Sequence, residues 1–174
     1  MSKNSCFSIW LIGPSASGKT TLSNFLYEKL KTNNPNLICI DGDQTRKIFD
    51  NSLGYDPISR SKNTSRYINI VKWLQKYNIS TIVSVISPFQ KDRVNCRKQI
   101  NNYNEVYLNC SLDIRIERDK KKLYLPAING EKKFVVGIDI EFEDPVTCDL
   151  TLNTEIISPD VLSNEIIKKF FKDI

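Results

Sequence analysis

Gly13-Pro14-Ser15-Ala16-Ser17-Gly18-Lys19-Thr20 has the spacing G-x-x-x-x-G-K-[ST], and each residue type in it answers a demand of a phosphate chain. Glycines let the backbone approach an anion closely. Successive N–H groups and the start of a following helix then face it, a lysine ammonium reaches the β and γ phosphates, and a threonine hydroxyl ligates Mg²⁺. A nucleoside triphosphate is the expected ligand. A plain glycine turn is the competing explanation, but chance produces this pattern in a chain of this length on the order of one time in a hundred or less.

A second set of chemical groups lies in Asp41-Gly42-Asp43, with Arg46 just beyond. Of two carboxylates beside a turn, one could hold hydrated Mg²⁺ or a substrate hydroxyl and the other could accept the proton of an attacking hydroxyl. An ordinary Asp-Gly turn would look the same in isolation. Arg46, Arg60 and Arg66 follow. A single arginine is as often a solvated surface residue, but a cluster of guanidinium forks implies a second, acidic substrate.

These groups need elements to hold them. Short apolar runs at Cys6–Ile12, Leu37–Ile40, Thr81–Ile86, Val106–Cys110 and Leu150–Leu152 read as strands. Between them, Leu22, Phe25, Leu26 and Leu30 fall on one helical face, and Ile68, Val71 and Trp73-Leu74 form a broader one. Ser158-Pro159 supplies an N-cap and a first-turn proline to a final amphipathic helix carrying Val161, Leu162, Ile166, Ile167 and Phe170. The alternation predicts an α/β fold, a parallel sheet flanked by helices on both faces, with ligands bound outside the carboxyl ends of the strands. Residues 118–145 break the alternation and are expected to form a lid loop that packs through Leu123, Tyr124, Phe134, Val135 and Val136.

Composition narrows the class of protein. With 174 residues, 40% hydrophobic and 26% charged, a single domain over residues 1–174 is expected. No run approaches the roughly 18 apolar residues of a membrane span, and the start lacks the apolar stretch of a secretory signal, so a soluble, cytoplasmic protein with no membrane partner is expected. Five scattered cysteines without a Cys-x-x-Cys pair, and no histidine, exclude disulfide scaffolds, histidine-based zinc sites and Ser-His-Asp triads. The cysteines are expected to be small buried hydrophobes. A net charge of +5 fits an acidic small molecule as well as nucleic acid, and no basic stripe interleaved with aromatics favours the latter, so no nucleic-acid partner is expected.

The P-loop alone marks only a superfamily, but an ordered set of further residues follows it. These are Asp41-Gly42-Asp43 with Arg46, Leu53-Gly54-Tyr55 before Arg60, Asn63 and Arg66, and Ile86-Ser87-Pro88-Phe89 with Arg93. Glu105-Val106-Tyr107, Arg118-Asp119 with Leu123-Tyr124, Gly137-Ile138-Asp139 and Phe142-Glu143 before Pro145 complete it. From about Ile9 to Leu152 the chain resembles the adenylylsulfate kinase (APS kinase) family of P-loop kinases.

The resemblance implies transfer of the γ-phosphoryl group of ATP, with Mg²⁺, to the 3′-hydroxyl of adenosine 5′-phosphosulfate, giving PAPS for sulfate assimilation. On matching positions it implies that Gly13, Pro14, Ser15, Ala16, Ser17, Gly18, Lys19, Thr20 and Arg118 bind ATP. Asp43 would be the base or the metal-organising carboxylate, supported by Asp41, with Thr20 and Asp43 at the metal and Lys19 acting in catalysis. Arg46, Arg60 and Asn63 would hold the phosphosulfate and Tyr55 would stack on the base, with Pro88, Lys121 and Phe134 completing the acceptor site. Ser87 stands at the family's phosphorylated serine, although direct in-line transfer needs no covalent step. A homodimer is implied as well.

Departures from the pattern concentrate in the lid. Lys122 stands for a glycine, Ile128 for an arginine, Val135-Val136-Gly137 for Phe-Thr-Gly with Phe134 one place early, and Ser65 for the first of two arginines. They leave the phosphoryl-transfer groups intact and alter those gripping base and ribose. Three expectations follow in order: adenosine 5′-phosphosulfate as acceptor, another modified nucleotide such as cytidine diphosphoramidate, and a nucleotide-binding module without turnover.

Overall fold

The short β-branched runs form five parallel strands in a computed structural model that describes residues 6–171. They are β1 (Ser8–Ile12), β2 (Leu37–Asp41), β3 (Ser80–Val85), β4 (Tyr103–Asn109) and β5 (Leu150–Asn153), ordered β2-β3-β1-β4-β5. From β1 the chain steps to one side for β2 and β3, then crosses to the other side for β4 and β5. That reversal opens a crevice at the carboxyl end of β1, where ligands of such sheets bind.

Seven helices cover the sheet among the described residues: α1 (Lys19–Leu30), α2 (Gly42–Ile48), α3 (Pro57–Gln75), α4 (Gln90–Gln99), α5 (Leu112–Glu117), α6 (Tyr124–Ile128) and α7 (Pro159–Phe170). Period-2 alternation divides the core. Ile9, Leu11, Ile82, Val106 and Leu108 face α1 and α7, meeting Leu22, Leu26, Leu30, Leu162 and Ile166. Trp10, Ile12, Val83 and Val85 face the other way, against Tyr67, Ile68, Val71 and Leu74 of α3. As expected, α7 starts on Ser158, whose hydroxyl accepts from the Val161 amide, with Pro159 in the first turn.

The structure corrects several expectations. Phe25 and Trp73 leave the buried faces assigned to them, at 40% and 57% exposed; Trp73 instead packs edge-on against Tyr77. β4 begins at Tyr103, before the apolar run, because Glu105 is buried in the strand with its charge answered by the Tyr103 hydroxyl at 2.6 Å. Its polarity hides the strand. Only Cys96 and Cys110 are buried; Cys6, Cys39 and Cys148 are half-buried, and all five are free thiols. α4 was not expected, since just Arg93 and Cys96 of its ten residues are buried and no apolar stripe marks it. No helix among the described residues is long and apolar enough to cross a membrane.

Residues 118–145 are more ordered than a loop. They contain α6 and a small core of Tyr124, Ala127 and Val135 packed with Ala16, Leu112, Ile116, Leu123 and Ile138. The Tyr124 hydroxyl donates to the Ser15 carbonyl at 2.8 Å and accepts from Arg115 at 2.9 Å, so the segment is docked on the P-loop.

Candidate active site

The turn between β1 and α1 is built for an anion. Gly13 (φ 148°) lies so close to β4 that a Cβ there would stand 2.8 Å from the Leu108 carbonyl oxygen. Ala16 (φ 60°) and Gly18 (φ 89°) are left-handed, and Gly18 caps α1 with no side-chain bond to the first-turn amides. No acid occupies that first turn. The helix therefore presents unpaired N–H groups and its positive dipole end to whatever enters. The Lys19 ammonium folds back onto the Gly13 and Pro14 carbonyls at 2.8 and 2.5 Å. Desolvation within the loop, reinforced by Lys121, pushes its pKa down to about 7, against the opposing pull of Asp43 and Asp41.

Asp41-Gly42-Asp43 is a helix start rather than the simple turn its sequence allowed. Asp41 is the N-cap of α2: one oxygen accepts from the Asp43 and Gln44 amides at 2.9 and 3.2 Å, the other from the Thr20 hydroxyl at 2.9 Å. Thr20 is thus paired with Asp41 and not with Asp43. The Asp43 side chain is exposed to the cavity and forms an ion pair with Lys121 of the lid, also largely exposed.

Across the cavity stands a second cationic wall. Arg46, buried at the end of α2, donates to the Leu53 and Gly54 carbonyls and lies 4.4 Å from the Tyr55 ring centroid. Arg60 approaches the same ring at 5.7 Å and donates to the Phe134 carbonyl at 2.8 Å. Burial, with Arg46 beside it, pushes the Arg60 guanidinium down to about 10. Like charges held this close favour an anion between them. Four polar side-chain atoms on this wall are buried without a partner: Arg60 Nε, Asn63 Oδ1, Ser84 Oγ and Ser87 Oγ. Buried polar groups are normally paired, so this cluster marks a ligand surface. Ser87 itself is held at φ 46°, a strained conformation for a residue with a Cβ.

The two walls enclose one cavity of about 430 Å³. It brings together Ser15, Ala16, Gly18, Lys19, Thr20, Asp41, Asp43, Arg46, Tyr55, Arg60, Asn63, Ser87, Pro88, Arg118 and Lys121. Gly13, Pro14 and Ser17 shape the loop from behind. Phe134 does not line the cavity: the residue is 44% exposed, and its carbonyl joins the site through Arg60. Arg66 leaves the expected cluster, stacking on Phe49 at 4.7 Å and bonding Ser52. Arg118 is fixed by the Thr154 and Glu155 carbonyls at 2.9 and 3.0 Å. Sequence reasoning missed Thr64, Tyr67, Ser84 and Asp119, all of which line the cavity. A hydroxyl among the apolar residues of β3 was the available sign for Ser84, and helical spacing from Arg60 was the sign for Thr64.

A family model described as adenylylsulphate kinase matches residues 5–153. The chain belongs to the adenylylsulphate kinase family. It is 38% identical over 149 residues to a probable adenylyl-sulfate kinase of Archaeoglobus fulgidus, covering 86% of this chain and 96% of that one. It is 42% identical over 151 residues to a cytidine diphosphoramidate kinase of Campylobacter jejuni, covering 87% and 88%. Among solved structures, the APS kinase of Mycobacterium tuberculosis in complex with AMPPNP and APS superposes with a TM-score of 0.87 at 28% identity, over 94% of this chain and 96% of that one. As an adenylylsulphate kinase family member the protein is a phosphotransferase acting on nucleotides, not the turnover-free module that the sequence left open.

In this kinase the lowered Lys19 pKa has a measurable consequence. Phosphate favours the charged amine, so above pH 7 a nucleotide draws up a proton as it binds. Between pH 7.5 and 8.5 its affinity is expected to fall by about tenfold, with uptake approaching one proton. Calorimetry in two buffers of different ionisation heat reads this directly; identical heats at pH 8.5 would show that Lys19 is charged throughout.

Proposed function

We propose that the protein transfers the γ-phosphoryl group of ATP to the 3′-hydroxyl of adenosine 5′-phosphosulfate. The observation that carries this is the wall opposite the P-loop, where Arg46 and Arg60 converge on Tyr55 and the unpaired Arg60, Asn63 and Ser87 atoms await a ligand. It offers charge for a phosphosulfate and an aromatic face for a base. That the M. tuberculosis enzyme of similar fold is described in complex with APS supports the choice.

In the proposed reaction Asp43 takes the proton of the 3′-hydroxyl, whose oxygen forms the new bond to the γ phosphorus while the bond to the β–γ bridging oxygen breaks and ADP leaves. Lys121 must first release Asp43, and an incoming anion offers it another partner. Lys19 and the α1 amides stabilise the phosphate oxygens. Thr20 and Asp41 provide an all-oxygen donor pair that fits Mg²⁺. No cluster of three or more Asp, Glu, His or Cys that could hold a metal occurs among the described residues, as befits an ion bound largely through the nucleotide phosphates. Such an ion would neutralise charge on those phosphates.

A second acceptor, cytidine diphosphoramidate, is favoured by a particular observation. Phe134 is outside the cavity, leaving Tyr55 as the exposed aromatic face. A stacking face contributes about 1–3 kcal/mol per base, so its loss relaxes selection for a purine by roughly one to two orders of magnitude. The 42% identity to the C. jejuni kinase points the same way.

Coupled ATP turnover with each acceptor, and with none, decides between them. Adenosine 5′-phosphosulfate is expected to be used with kcat/KM of about 10⁴ M⁻¹s⁻¹ or more. Turnover of the cytidine compound with silence on the phosphosulfate would establish the second acceptor. Turnover with neither would overturn both.

A further inference from the structure

Arg93 has no part in the reaction proposed above, yet it is 1% exposed and spends its guanidinium on the backbone of the acceptor wall. Nη1 donates to the Ser87 carbonyl at 2.8 Å, and Nη2 donates to the Glu143 carbonyl and to Gln90 Oε1, both at 2.6 Å. Its charge is answered from β4 by Glu105 at 3.9 Å. The two segments it joins are also laced directly: the Glu143 amide donates to the Pro88 carbonyl at 3.0 Å, and the Gln90 amide donates to the Glu143 carboxylate.

We infer that Arg93 is a positioning residue for the acceptor, holding Ser87 in its left-handed conformation so that its hydroxyl is presented to substrate, and anchoring residues 134–144 to the same point. The argument rests on the acceptor site proposed above. A residue with a Cβ at φ 46° persists only when its surroundings over-determine it, and the bond from Arg93 to its carbonyl does that. The hydroxyl so placed has no partner within the protein. The arm held at Glu143 runs back to Asp139, whose carboxylate accepts from the Phe134 and Val135 amides, and the Phe134 carbonyl accepts from Arg60. One buried cation thus ties together both ends of the wall, Ser87 and Arg60. A lysine keeps the charge but offers one point where the guanidinium fork reaches three acceptors.

The test is a double-mutant cycle read on acceptor KM, with ATP affinity and Tm measured alongside, using whichever acceptor the wild type phosphorylates. Arg93→Lys and Ser87→Ala are each expected to raise acceptor KM by about tenfold and leave ATP affinity within about twofold. The double variant should be no worse than the poorer single one, because Arg93→Lys already misplaces the hydroxyl that Ser87→Ala removes. Gln90→Leu removes one of the three acceptors from a half-buried position and should raise acceptor KM by about threefold. It decides the matter if Arg93→Lys does not fold. Losses that multiply in the double variant, or a fall in ATP affinity and Tm with acceptor KM unchanged, overturn the assignment while leaving the function standing. A wild type that phosphorylates no acceptor overturns the function itself, and this assignment with it.

Discussion

Asp43→Asn is expected to lower kcat by about 10² to 10⁴-fold while changing ATP affinity by no more than about threefold. The split follows from where the carboxylate stands. Asp43 follows the N-cap of α2, its amide is bound by Asp41, and its exposed side chain lines the cavity, where Lys121 is its ionic partner. Its link to the phosphate cradle is electrostatic, a pull on the Lys19 ammonium that desolvation outweighs. The asparagine amide matches the carboxylate in size and cannot take a proton, so binding survives and transfer does not. Single-turnover phosphoryl transfer under saturating ATP, beside a direct ATP binding isotherm, separates the two effects. Retention of most of kcat would remove Asp43 from the role of base. The pair with Lys121 has little weight in this comparison, because two largely exposed side chains gain about 0–1 kcal/mol from their contact.

Lys19→Ala should be the other severe variant, lowering kcat/KM by about 10² to 10³-fold through lost charge at the β and γ phosphates. Here affinity and turnover fall together, unlike the Asp43 result. The side chain has two tasks. It bridges the Gly13 and Pro14 carbonyls and holds the loop, and the same ammonium has to serve the phosphates of a bound nucleotide. Removing it deprives the loop of an internal support and the ligand of a cation. Arginine is not expected to restore activity, since its planar fork replaces a compact point charge inside a tight turn. ATP affinity within about twofold of wild type in Lys19→Ala would show that the α1 amides alone carry phosphate binding. The proton uptake expected above pH 7 must vanish in the same variant, which ties both results to one amine.

What could be read in advance, and what could not, follows from the range of the forces involved. The P-loop was legible because its chemistry is local: eight consecutive residues create the turn, the anion nest and the reaching lysine by backbone conformation alone. The order of strands and helices was legible from apolar period, and the family pattern from spacing along the chain. Elements whose stability comes from polar pairing were hidden. β4 begins three residues before its apolar run because Glu105 is buried against Tyr103, and α4 exists around Arg93 without an apolar stripe. Phe134 and Arg66 were assigned to the site from position, and packing sends both side chains elsewhere.

The tertiary structure alone decided which carboxylate serves which partner. Asp41 and Asp43 are two residues apart and chemically alike, but the start of α2 turns one back onto its own amides and Thr20 and leaves the other facing the lid. It also assembled the wall opposite the P-loop, setting Tyr55, Arg60 and Asn63 from one stretch of chain beside Ser87 from another. Residue type and local spacing determine what chemistry is available to this kinase. Which groups meet, which stay unpaired and which are strained depends on contacts between residues far apart in sequence, and those exist only once the sheet has brought its carboxyl ends together.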